Sequence, residues 1–176
     1  MKGFSIQEFK PTIFFLLKFV GIYLVGNLLY GIFITNFNPQ PDPVTHLVAR
    51  HTSTVLNVAG WKTEVVDHEH KPNTLLRYHD HNALAIYEGC NGINTMIIFV
   101  AFIIAFSSWR VSMLWFIPAG IAIIHLMNLL RIALLFVVSE YIPRYMYITH
   151  KYLFTAFLYA VIFGLWMVWL KKFSKP

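Results

Sequence analysis

An all-α integral membrane protein, with about four transmembrane helices and one small extracytoplasmic loop region, is what these residues predict, and three observations carry it. Hydrophobic residues make up 57% of the 176 and charged residues only 12%, with a mean hydropathy of +0.59; a soluble domain carries about a quarter of its residues as charges. The apolar residues gather in long runs instead of alternating. The basic residues stand at the ends of those runs, where the two interfaces of a bilayer would lie. The net charge of +6 forms no stripe with interleaved aromatics, so the expected partner is the lipid bilayer and not a nucleic acid.

The first run, residues 13–35, is interrupted only by Lys18, Asn27 and three glycines, and at 1.5 Å rise per residue it crosses a hydrocarbon core of about 30 Å. No small-residue cleavage site follows it before Asn36, so it reads as a retained helix and not as a signal peptide. In Asn38-Pro39-Gln40-Pro41-Asp42-Pro43 the prolines fix φ and restrict the residues before them, which predicts an extended stalk. Residues 44–59 place Leu47, Val48, Val55 and Ala59 on one helical face, with Thr45, Arg50, Thr52 and Thr54 elsewhere. That pattern predicts an interfacial amphipathic helix ending at Gly60. Residues 61–67 and 75–87 are strand-like around the turn-prone Lys71-Pro72-Asn73, giving a small antiparallel unit that leads into Glu88-Gly89-Cys90.

A second span covers residues 93–106 and borrows Cys90, Gly92 and Ser107 to reach spanning length. A third, residues 111–139, carries Pro118, Gly120, His125, Asn128 and Arg131, with a kink expected near the proline. The fourth, residues 153–170, is uncharged and stops at Lys171-Lys172. Lys2, Lys10, Arg110, Lys171, Lys172 and Lys175 flank three short segments, which the positive-inside rule assigns to the cytoplasm. The 36–89 segment balances its basic residues with acidic ones and is assigned outside. The chain thus divides into a cytoplasmic N-terminus with the first helix (1–35), an extracytoplasmic loop (36–89), and a core of three helices (90–176).

That topology places three reactive side chains on one side of the membrane. Cys90, the single cysteine, excludes an internal disulfide and has no companion thiolate for a usual structural zinc site. It sits between Gly89 and Gly92 at a loop-to-helix junction, where unpaired N–H groups and the helix dipole favour thiolate and accommodate an oxyanion. Arg131 lies within an apolar helix, at a cost of about 2.5–3.5 kcal/mol on insertion scales, so it is expected to face the protein interior or water and to have a partner. Asn128, three residues earlier, shares its face. His150, in the loop before the last helix, is placed to act as base for a cysteine nucleophile.

Glu88-Gly89-Cys90-Asn91-Gly92-Ile93, then Asn128-Leu129-Leu130-Arg131-Ile132, then a histidine shortly before the last helix, resemble the exosortase/archaeosortase family of multi-pass membrane transpeptidases, most of all its short exosortase F forms. The resemblance covers roughly residues 84–170. Many members have Ala-Cys-Ser-Gly where this chain has Gly-Cys-Asn-Gly, and many have more helices. The resemblance implies Cys90 as nucleophile, His150 as acid/base and Arg131 as the group that stabilises the oxyanion or binds the sorting signal, with Asn91, Gly92 and Asn128 in substrate-binding or supporting positions. It implies no metal and no cofactor. The implied substrates are secreted proteins ending in a short motif, a transmembrane helix and a basic tail. They are cleaved at the outer face of the inner membrane and passed to an acceptor, and a partner membrane protein is compatible with so small a bundle.

Two other readings stay open. His68, His70, His79 and His81, beside Asp67, Glu69 and Asp80, are competent metal ligands, so the chain reads alternatively as a non-catalytic protein whose outer loop binds metal for transport or sensing. A membrane scaffold is the third reading. His125, deeper than Arg131, is a rival base or a hydrogen-bonded structural residue.

Overall fold

The computed structural model describes residues 6–106 and 111–173; the basic flanks Lys2, Arg110 and Lys175, and Ser107, lie outside them. The chain is mostly helical, with one small sheet. Helix α1 (Ile6–Thr35) starts earlier than its apolar run and continues through Pro11. Then come α2 (Pro43–Val58), β1 (Glu64–Asp67), β2 (Asn73–Tyr78) and β3 (His81–Tyr87), a 3-10 turn (Glu88–Cys90) and α3 (Ile93–Phe106). Helix α4 (Val111–Tyr141) is followed by a second 3-10 turn (Pro143–Tyr145), a single helical turn α5 (Met146–Ile148), a π-helical turn (Thr149–Leu153) and α6 (Phe154–Lys172). Among the described residues three helices are long and apolar enough to cross a membrane, within 9–35, 111–141 and 143–172, and Ile93–Phe106 is a shorter apolar helix.

The expected stalk is instead a pair of tight turns. Phe37 N–H donates to Ile34 O at 3.1 Å and Gln40 N–H to Phe37 O at 2.8 Å. Pro43 opens α2 at the first helical position, where its missing N–H costs nothing. Asp42 caps the helix, its carboxylate accepting from Val44 N–H at 2.9 Å and Thr45 N–H at 3.1 Å. The face α2 buries also differs from the one its apolar residues predict. Thr45, Val48, Ala49, Thr52, Ser53 and Leu56 are buried, while Leu47 and Val55 are 47% and 45% exposed. Polar side chains can turn inward because they are satisfied there: Thr52 Oγ1–H donates to Val48 O at 2.8 Å, and Ser53 Oγ lies 2.9 Å from Thr63 Oγ1.

The strand-like stretch 75–87 is two strands. His79 and Asp80 have φ of 45° and 63°, the conformation a two-residue primed turn requires, and Tyr78 pairs with His81 across it. With no glycine in the turn, only the tolerance of His and Asp for positive φ marked it. The sheet is antiparallel in the order β1-β2-β3.

Two apolar cores stack along α4. One, toward the chain termini, joins Phe99 and Ile103 of α3 to Met113 and Ile124 of α4 and to Ile162 and Trp169 of α6. Gly120 makes it possible, since a Cβ there would lie 2.2 Å from Phe99 Cζ. The other core lies under the sheet and joins Val48, Ala49 and Leu56 of α2 to Leu76, Ile86, Leu129, Ile132 and Phe136. At 1.5 Å per residue, the rise from Val111 to Arg131 already equals a hydrocarbon core of about 30 Å. The turns of α4 from His125 to Tyr141, which reach beyond that length, form the post against which α2 and the sheet pack.

Candidate active site

β3 runs antiparallel to α4. At its start, His81 Nε2 lies 2.9 Å from Glu140 Oε1; just beyond its end, Cys90 O accepts from Asn128 Nδ2 at 2.8 Å. The strand therefore descends along the post and sets Cys90 close to the level of Arg131. The 3-10 turn Glu88–Cys90 stops the strand, and Asn91 leads into α3 through an Asx turn, its Oδ1 accepting from Ile93 N–H at 3.0 Å.

Asn91 is fully buried and turned away from Cys90. Its Nδ2 donates to Tyr30 Oη, on α1, and to Thr45 Oγ1 at 3.0 Å, on α2. It is thus the tie that fixes the start of α3 to two other helices. Gly92 has φ of 86°, and a Cβ there would sit 3.2 Å from Asn128 Cγ. Any larger residue would be strained at this positive φ and would press on the Asn128 amide that holds the Cys90 carbonyl.

Arg131 is 6% exposed. Nη1–H donates to Asn128 Oδ1 at 3.3 Å, and Nε has no partner. Among the described residues no carboxylate forms an ion pair with it. A polar amide holds one nitrogen of a buried guanidinium, and its Nε is left without a partner.

His150 belongs to the π-helical turn, not to a loop. Such turns insert an extra residue into a helix and recur at functional sites. Its Nε2 lies 3.7 Å from Cys90 Sγ. Tyr87, the last residue of β3, completes the group and was not singled out from sequence. Its phenol lies beside Cys90, and its pKa is raised from 10.0, first by the electrostatic effect of Cys90 and then by burial, with Arg131 pulling the other way. The signal for it was only position: strand alternation carries no mark of a hydroxyl placed beside a nucleophile three residues later.

His125 lies elsewhere, its Nε2 3.1 Å from His51 Nδ1 on α2. The loop histidines are spent separately. His68 Nδ1 accepts from His70 N–H at 3.1 Å, and His81 faces Glu140. Among the described residues no three His, Cys, Asp or Glu side chains gather as a metal set.

A thiol, an imidazole, a phenol and an unpaired guanidinium thus converge from β3, α4 and the turn before α6. The family model described as Transmembrane exosortase matches residues 9–170. The chain belongs to the transmembrane exosortase family. The match takes in α1 and the whole sheet unit as well as the part that carries the three motifs, so the exosortase fold here includes the N-terminal helix that Asn91 ties to the site. No curated protein and no solved structure matches the chain.

Proposed function

We propose that this exosortase is a membrane cysteine peptidase and transpeptidase that removes a C-terminal sorting signal from secreted proteins and passes the product to an acceptor. The observation that carries it is Cys90 Sγ at 3.7 Å from His150 Nε2, beside a buried arginine with an unpartnered Nε. Cys90 Sγ attacks the scissile carbonyl while His150 Nε2 takes the thiol proton. The oxyanion of the tetrahedral intermediate is met by Arg131, with Tyr87 beside the sulfur. Collapse breaks the C–N bond, His150 protonates the departing amine, and a thioester on Cys90 remains. An acceptor nucleophile then loses its proton to His150, attacks the thioester, and the thiol is regenerated. No metal or cofactor enters.

The positive flanks support an inner-membrane location with both termini cytoplasmic and the site facing the periplasm or outside. In that orientation the 36–89 segment is extracytoplasmic and 90–176 is the catalytic core. A substrate motif followed by its own transmembrane helix and basic tail emerges at that face, within reach of Cys90. The bilayer is the second partner, and a further membrane protein beside the small bundle is the third.

The test is co-expression with proteins of the same genome that end in a shared short motif, an apolar helix and a basic tail. Wild-type protein shortens them, and Cys90→Ala leaves them full length while accumulating normally in the membrane. Processing by Cys90→Ala would end the peptidase reading.

A further inference from the structure

The sheet order leaves β3 with one edge unpaired, and an unpaired edge is a template for another strand. A cleft of about 650 Å³ runs beside it, lined on one side by Asn82, Ala83, Leu84, Ala85 and Tyr87 of β3 and by Leu75 of β2. Leu75 pairs with Ala85, so the cleft covers that face of the sheet, and Asn82 and Leu84, either side of the register irregularity opposite Leu76 and Arg77, bring it round to the free edge. Two of the β3 residues are alanines, which let a second backbone come close. The opposite wall is Pro143, Arg144, Met146 and Tyr147, and the cleft ends at His150, the residue that faces Cys90 Sγ.

We propose that this edge reads the substrate: an extended stretch of the peptide hydrogen-bonds to β3 through its backbone, parallel to it, and is thereby led to Cys90. The inference rests on the peptidase reading above. The direction follows from two descents. β3 passes from the level of Glu140 to that of Asn128 and delivers its own chain to Cys90. A sorting motif likewise enters from the secreted domain and continues into a transmembrane helix, so its residues run the same way. From Asn82 to Tyr87 the edge is about 17 Å long at ~3.3 Å per residue, room for a motif of about five residues. Backbone pairing supplies affinity that is indifferent to sequence, and the walls select among side chains.

The single thiol gives a direct readout. Full-length protein in phospholipid vesicles is treated with N-acetyl-tetra-alanyl chloromethyl ketone or with the one-residue acetyl-alanyl analogue, and the Cys90 adduct is quantified by mass spectrometry. The longer probe should react about tenfold faster. N-methylation of its amides one at a time should slow it about fivefold at alternate positions, as the loss of one hydrogen bond does, and leave the intervening positions unchanged. A benzophenone on its N-terminal residue should cross-link within 81–85 or 139–147.

Equal rates for the two lengths, a loss at every position alike, or cross-links confined to α1 or α2 would overturn the docking. Iodoacetamide, which has no peptide backbone, separates that failure from the other. If its rate still falls in His150→Ala, the nucleophile stands and only the docking is lost. An iodoacetamide rate unchanged in His150→Ala removes the activated cysteine, and the proposal built on it falls as well.

Discussion

Arg131 is the residue whose surroundings are hardest to explain by stability alone. Burying a guanidinium away from water costs several kcal/mol unless an anion and hydrogen bonds offset it. Here one contact to Asn128 Oδ1 at 3.3 Å and an unpartnered Nε are what it has. A charge left in this state is suited to an anion that arrives with the substrate and grows in the transition state, because the stabilising group is already in place. Arg131→Lys keeps the charge and loses the planar fork. The variant should insert and accumulate like wild type while processing falls about 10²–10³-fold, the loss known for one oxyanion donor. A gel-shift assay of substrate cleavage against membrane level reads both quantities. An arginine that merely reached for the interface would be replaced by lysine almost silently, so near-wild-type cleavage would remove Arg131 from the chemistry.

β3 joins this chemistry to the loop, and beyond its pairing with β2 its upper end is tied to α4 by one pair. His81 Nε2 lies 2.9 Å from Glu140 Oε1, and that hydrogen bond raises the pKa of His81 above its ordinary 6.5. A histidine whose folded pKa is raised stabilises the contact fully below the unfolded value, and the contribution fades as pH rises through the folded one. The start of β3 should therefore be pinned to α4 below about pH 6.5 and loosen at higher pH. Hydrogen exchange of peptides covering 79–87, compared with Glu140→Gln at each pH so that the intrinsic pH dependence cancels, measures it. Wild type should be the better protected at low pH, with the difference closing as pH rises. A difference that is absent, or that widens toward high pH, would mean another group holds the strand. The lower end is held differently, by the Asn128–Cys90 amide contact, which does not titrate, so Cys90 keeps its place through the same range.

Long apolar runs and their basic ends made the membrane architecture legible, because in a bilayer every backbone group must be satisfied within its own helix and only length and polarity at the ends remain to be read. Cys90, Arg131 and His150 were legible as reactive types in an apolar context, and Asn128 through its spacing from Arg131. Tertiary choices were not. The buried face of α2 is polar because the chain supplies partners for Thr52 and Ser53, which no periodicity records. The hairpin turn has no glycine, and the π-helical turn at Thr149–Leu153 has no composition of its own. The two cores also differ in what holds them: lipid is as apolar as Phe99 or Ile162, so the inner one depends on close packing, while the core beneath the sheet has the hydrophobic effect behind it. That contrast requires the sheet to stand in water, and the proposed orientation puts that water outside the cell membrane. Because Cys90 is only 5% exposed, the orientation is better read from substituted cysteines in a Cys90→Ala background. Glu69, whose side chain is 89% exposed, and Lys172, at the end of α6, bracket the bilayer. A membrane-impermeant maleimide should label Glu69→Cys in cells whose outer barrier is opened, and Lys172→Cys only after the inner membrane is broken. The reverse pattern would invert the topology, seal the β3 edge and Cys90 from secreted substrates, and leave the reactive group facing the wrong compartment.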